Sequence, residues 1–240
     1  MFTVMLSCSP HIHKIKDGGR ASELTGGVVN LASAKPTEVS MLSKDLNFPN
    51  VTLVARPLLY AMRLARRVNS RIRGLWLKLQ LKAAGASVGK RLSVDRGVRL
   101  TTSRSARWNI GDRVSFGAGV ILSVGKEASL TIGDDVLIMH YTMIGAEKSI
   151  SIGDRTQVAE HCSIRDHDHD ISQSSMHRAA VVCSAVSIGD DAWIGRGVAV
   201  LKGSQIGAGA VIGANAVARG EIPQDAIAVG VPARVIRIRR

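Results

Sequence analysis

Aromatic residues are scarce in this chain: Phe, Trp and Tyr together make 3% of 240 residues. So few rings exclude a core built on large planar side chains and leave the interior to aliphatics, within an ordinary hydrophobic fraction of 45%. Cysteine is sparse too. Cys8, Cys162 and Cys183 are odd in number and scattered, with no metal or disulfide spacing, which points to reduced thiols. No apolar run reaches the length of a membrane-spanning helix. The opening MFTVMLSCSPHIHK lacks the basic region and apolar stretch of a secretory signal, so the expectation is a cytoplasmic protein. Acidic residues vanish between Asp45 and Asp95, and that segment carries much of the net charge of +13.

What the chain has in abundance is a six-residue period. Ile188, Ile194, Val200, Ile206, Ile212 and Ala218 follow one another without a slip. The same phase runs earlier with interruptions, through Val88 and Val94, then Ile110, Phe116 and Leu122, then Ile132, Ile138, Ile144 and Ile150, then Ile152, Val158 and Ile164. Six is neither the helical 3.6 nor the strand 2.0. It is the period of a hexapeptide solenoid, in which each hexad is one short strand and one turn. Three hexads make a triangular coil, and each lead aliphatic stacks on the one below, worth roughly 1.5–3 kcal/mol per buried side chain. Gly and then Asp follow many of the lead residues, as in Gly111-Asp112, Gly133-Asp134, Gly153-Asp154 and Gly189-Asp190. Gly fits a crowded corner, and Asp closes turns through its own carboxylate. These glycines therefore read as corners, not as dinucleotide-binding fingerprints, since no helix follows them.

The expected organisation has three parts: a loosely ordered extension over 1–50, a basic amphipathic helix over 51–85, and a β-helix domain over 86–240. In the helix, Pro57 suits a first turn. Leu58, Met62, Ala65, Val68, Ile72, Leu75 and Leu79 form a stripe at helical spacing among Arg66, Arg67, Arg71, Lys78 and Lys82. Three readings compete for residues 56–84. The stripe caps the open end of the solenoid, or it lies on an anionic membrane surface as a peripheral contact. The third reading, nucleic-acid binding, is disfavoured because stacking aromatics and nucleic-acid motifs are missing.

One loop breaks the solenoid, over 165–185, and it opens on Arg165, Asp166, His167, Asp168, His169 and Asp170. Loops on a rigid scaffold concentrate function. A histidine here can serve as a general base for a hydroxyl, the cluster can hold a metal although its spacing matches no metal motif, or the loop is simply polar and solvated.

The solenoid and this loop together resemble the hexapeptide-repeat acyltransferases, in particular the galactoside/maltose O-acetyltransferases and the sugar O-acetyltransferases of capsule and O-antigen clusters. The resemblance covers about 86–238 and rests on EKSISIGDRTQVAEHCSIRDHDHD, VSIGDDAWIGRGVAVLKGSQIGAGAVIGANAV and IPQDAIAVGVPARVI. It implies an all-β, left-handed parallel β-helix assembled as a homotrimer, acetyl-CoA as acyl donor with no metal, and a saccharide acceptor that the basic helix would allow to be lipid-linked. The family's catalytic base falls on His167. Glu147 is implied at the acceptor; beside the resemblance, His161 reads as a second residue lining the cleft of His167, and His169 either orients the acceptor or is simply exposed. Trp193, Gly195, Arg196, Ala214, Arg219, Pro232 and Arg234 are implied along the donor. The chain departs from the family pattern at Arg196, where a small residue is usual, and at Arg219-Gly220-Glu221, where Thr-Lys-Asp is common; Arg219 would replace the lysine's phosphate contact. A serine or antibiotic acetyltransferase, a solenoid carbonic anhydrase and a non-catalytic scaffold are the competing functions. The anhydrase fits least, because it needs two histidines five apart on one coil and His161 and His167 are six apart.

Overall fold

The computed structural model describes residues 51–239, so the extension expected over 1–50 lies outside the described residues. Arg56–Arg240 form one compact unit. Helix α1 spans Val51–Ala83 and belongs to this unit from Arg56 onward, and short strands wound into a triangular parallel β-helix follow it.

The six-residue period determines the three faces. The first is a seven-stranded sheet, the second has eight strands and the third six, and neighbouring strands in each come from successive coils. On the first face Ile110 pairs with Ile132 and Ile132 with Ile152, then Ile152 with Ile188 and Ile188 with Ile206. On the third face Leu122 pairs with Ile144 and Ile144 with Ile164. Like therefore stacks on like, and the lead residues from Val88 to Ile222 are buried. The earlier interruptions of the period have a simple cause. Strands Arg107–Ile110, Ser129–Ile132 and Ser149–Ile152 are four residues long with two inward positions each, so the chain needs extra residues to complete those coils.

The Gly-Asp pairs are corners, and the corners form a ladder. Asp112 accepts the amide of Lys90 at 2.6 Å, Asp134 that of Asp112 at 2.7 Å, Asp154 that of Asp134 at 2.7 Å, and Asp190 that of Asp154 at 2.9 Å. Each carboxylate reaches the coil before it, and the Gly one residue ahead of the amide it accepts leaves it room: a Cβ at Gly153 would run into Asp190. At the C-terminal end Arg234–Ile238 folds back antiparallel on Ala226–Val229 and closes the second face.

Helix α1 lies across the first coil, but not on the stripe expected to pack. Among its described side chains, Gly74, Leu77 and Leu81 are the buried positions. A Cβ at Gly74 would strike the Leu92 carbonyl, so glycine there sets how closely helix and coil approach. Around it, Ser70 meets Ser93 at 2.8 Å, the Arg73 Nε donates to the Val94 carbonyl at 3.0 Å and a second guanidinium nitrogen reaches Asp95 at 3.2 Å. The stripe of Met62, Val68, Ile72, Leu75 and Leu79 faces away from the solenoid and is exposed. Among the described residues no helix is long and apolar enough to cross a membrane.

Candidate active site

The prism has three corners, and the one that joins the third face to the first carries the His167 loop. In one coil it is Glu147 and Lys148. In the next it expands into the loop after strand Ser163–Arg165, and in the two after that it holds Lys202 and Arg219. The loop is a hairpin: His167–His169 pairs antiparallel with Val181–Cys183, with His167 opposite Cys183 and His169 opposite Val181. Asp170 continues it by donating its amide to the Ala180 carbonyl at 2.8 Å. The scaffold thus presents His167 at the root of the loop, not at its tip.

Asp166 makes that root rigid. Strand alternation turns Ile164 inward and Asp166 inward with it, and Asp166 is fully buried. Its two oxygens accept the Glu147 amide at 2.8 Å and the Lys148 amide at 2.7 Å. The oxygen bonded to Glu147 also lies 3.1 Å from His167 Nδ1. A carboxylate only accepts, so Nδ1 carries the ring proton and Nε2 keeps its lone pair. Among the described residues no protein group bonds to Nε2, and the His167 side chain is 23% exposed. The arrangement is a partly open imidazole, oriented by a buried acid, with a free basic nitrogen. Sequence reasoning missed Asp166, and the missed signal was its inward strand phase directly before a histidine.

Glu147 is exposed on the corner of the coil before the loop, and its carboxylate lies over Gly125. Cys183 is partly buried beside these acids, and burial first, then Asp166 and Glu147, push its thiol above the ordinary range. His169 and Asp168 line a cleft of about 520 Å³ with Ile171, Leu201, Lys202 and Arg219. Lys202 was not anticipated from the sequence. It also helps to hold the Asp170 carboxyl below its usual range, after hydrogen bonds from Ser172 and Gln173.

The other expected site residues fall elsewhere on the prism. His161 occupies the corner between the second and third faces in the left-handed region, φ 60°, with its ring stacked on Tyr141 at 5.3 Å and 18°. It is not brought to His167 within one chain. Gly195, Arg196 and Ala214 belong to that same corner, where a Cβ on Gly195 would strike the Ile212 carbonyl and the Ala214 amide. Arg196 pairs with Glu160 at 3.3 Å. Trp193 is half exposed on the second face, in a cleft of about 830 Å³ that includes Arg155, Gln157, Arg237 and Arg239. Pro232 and Arg234 lie in and after the bend into the last strand.

Comparison with known proteins agrees with this architecture. Residues 185–220 match the family model described as bacterial transferase hexapeptide (six repeats). A probable acetyltransferase of Mycobacterium tuberculosis is 40% identical over 107 residues, 44% of this chain and 36% of that protein. A putative lipopolysaccharide biosynthesis O-acetyl transferase of Escherichia coli is 37% identical over 112 residues, 43% of this chain and 57% of that protein. The chain thus spans between about a third and just over half of these relatives. Among solved structures, an N-acyltransferase from Bacillus cereus, crystallised with dTDP-4-amino-4,6-dideoxyglucose and coenzyme A, superimposes with a TM-score of 0.59 at 24% identity, over 68% of this chain and 89% of that one. That likeness extends to the fold.

Proposed function

We propose that the chain is an O-acetyltransferase that moves an acetyl group from acetyl-CoA to a saccharide hydroxyl, with His167 as general base. The observation that carries this reading is the Asp166–His167 pair, because with Nδ1 donating to the buried carboxylate it is Nε2 of the neutral ring that is left to accept a proton on a partly exposed side chain. Acetyl transfer to a saccharide follows the names of the relatives, and the CoA donor follows the family resemblance.

In the proposed reaction His167 Nε2 takes the hydroxyl proton as the oxygen attacks the thioester carbonyl. The tetrahedral adduct collapses, the C–S bond breaks, and the imidazolium returns its proton to the leaving thiolate. No enzyme-bound acyl intermediate is needed, which suits a thiol at Cys183 held above its ordinary range. Asp166 steadies the imidazolium while it exists. Glu147, on the same corner one coil earlier, is available to accept from acceptor hydroxyls. Lys202 and Arg219 give the cleft beside His169 two cations suited to an anionic group such as a CoA phosphate or a sugar nucleotide.

The site is divided between two corners of the prism. Asp166, His167 and Glu147 stand on one, while His161, Gly195, Arg196 and Ala214 stand on another. A closed ring of three copies would bring the first corner of one chain against the second corner of its neighbour, and the proposed donor and acceptor cleft lies between copies.

The test is thiol release from acetyl-CoA with a panel of saccharides and lipid-linked saccharides. Wild type is expected to turn over with at least one acceptor. His167→Ala is expected to lose at least ~100-fold in rate, the scale of a lost general base, while keeping its assembly and CoA binding. Normal turnover by the variant would overturn the role of His167. No thiol release with any acceptor would favour a non-catalytic solenoid.

A further inference from the structure

Helix α1 uses one face to cover the solenoid and, among the described residues, leaves the opposite face without a partner. The covering face is Gly74, Leu77 and Leu81. At helical spacing the far side collects Leu64, Val68, Ile72, Leu75, Trp76 and Leu79, and these are between 48% and 64% exposed. A soluble helix normally buries its wide apolar stripe and wets the other side. Here the arrangement is inverted, so the stripe faces away from the core of the solenoid.

Charge decides what fits this face. On one flank of the stripe stand Arg67, Arg71 and Lys82, all exposed. The helix holds no acidic residue anywhere from Val51 to Ala83. A second copy of α1 laid against the first would bring cations against cations with nothing to neutralise them, which disfavours self-pairing. An apolar strip bordered by unneutralised arginine and lysine is instead complementary to lipid tails beneath anionic headgroups. The helix is not apolar enough to span a bilayer, so it would lie in the interface.

We propose that the outward face of α1 docks this protein on an anionic phospholipid bilayer, with Leu75, Trp76 and Leu79 in the acyl boundary and Arg67, Arg71 and Lys82 at the headgroup phosphates. The docking does not depend on the acetyl-transfer reading, since none of these residues belongs to the His167 site.

The test is co-sedimentation of the full-length chain with vesicles of phosphatidylcholine alone and of phosphatidylcholine mixed with phosphatidylglycerol. Binding to the mixed vesicles is expected to exceed binding to the neutral ones at least tenfold and to fall as salt is raised. The double variant Leu75→Ser/Trp76→Ser is expected to weaken binding at least tenfold with an unchanged melting temperature and unchanged oligomeric size. Equal binding to both vesicle types, or to neither, would overturn the proposal. So would a change of oligomeric size in the double variant, which would make the face a protein–protein interface. Vesicle retention that depends on Arg67 and Arg71 but ignores Leu75→Ser would also overturn it, leaving a general polyanion site of the kind a nucleic acid fills.

Discussion

Asp166 and His167 are adjacent in sequence, yet one is sealed in the prism and the other is partly exposed, with Oδ1 and Nδ1 3.1 Å apart. The pair converts a strand's inward–outward alternation into an oriented base. Asp166→Asn keeps the size and one acceptor but offers an amide N–H as well, which allows the ring to adopt the tautomer with the proton on Nε2. The expected result is a fall in kcat of at least ~100-fold with little change in KM for acetyl-CoA, together with an altered pH–rate profile. A loss of stability alone would move neither the kcat-to-KM split nor that profile, so a variant that melts early but keeps its turnover would make Asp166 a purely structural residue.

The two described thiols differ in setting, and alkylation separates them. Burial raises the Cys162 thiol, and its sulfur sits 3.1 Å from the Gly195 carbonyl inside the prism. Cys183 is raised as well, with Asp166 and Glu147 adding their charge to the effect of burial. A raised thiol pKa means less thiolate at a given pH. Cys183 is therefore expected to react with iodoacetamide more slowly than a free cysteine at neutral pH and to gain rate only above the ordinary thiol range, while Cys162 stays unmodified until the protein unfolds. Peptide mass mapping after timed alkylation reads each site separately. Fast neutral-pH labelling of Cys183 would contradict the acidic surroundings assigned to it.

The corner between the first and second faces carries a second ladder outside the Gly-Asp one. Arg113 grips Asp135 with two bonds of 2.6 and 2.7 Å, and Arg155 grips Asp191 with two of 2.9 and 2.8 Å. Each arginine holds its partner carboxyl below the usual range. A depressed folded-state pKa contributes stability above the unfolded-state value, and that contribution is lost as pH falls through the folded one. The pairs are exposed, so the effect is small and salt-sensitive. Melting temperatures of wild type and Arg155→Met, measured against pH, are expected to differ at neutral pH and to converge below the usual carboxylate range. Curves that stay parallel into acid would show that the Arg155–Asp191 bonds carry no linkage.

The solenoid was legible because its signal is redundant. The lead aliphatic of almost every hexad repeats the same statement, and a slip such as that from Ile150 to Ile152 costs one coil's phase without hiding the fold. The loop was legible as an interruption of that signal, and His167 through a resemblance in its neighbourhood. Asp166 was not, because three carboxylates in the cluster are equivalent until one knows that Ile164 points inward and Asp166 follows it two residues later. The grouping of His161 with His167 also failed to emerge within one chain: six residues carry the backbone to the next corner of a triangle, so sequence proximity becomes spatial separation. The helix misled in a different way. Periodicity identifies an apolar stripe but does not say that the stripe packs, and here a glycine, two leucines and a few polar anchors make the contact.

That inversion gives a direct stability test. Leu77 is 7% exposed against the first coil and Ile72 is 60% exposed on the far side of the same helix. If apolar content alone governed packing, truncating either would cost alike. The observed contact requires otherwise. Leu77→Ala removes a buried side chain and opens a void in the hydrophobic core, at an expected cost of about 2 kcal/mol or more. Ile72→Ala removes no contact with the solenoid and is expected to change stability by no more than about 0.5 kcal/mol. Denaturant unfolding of the two variants beside wild type measures both. The order Leu77 over Ile72 follows from which face of α1 meets the coil, and a reversed order would mean that the stripe, not Gly74, Leu77 and Leu81, faces the solenoid in solution.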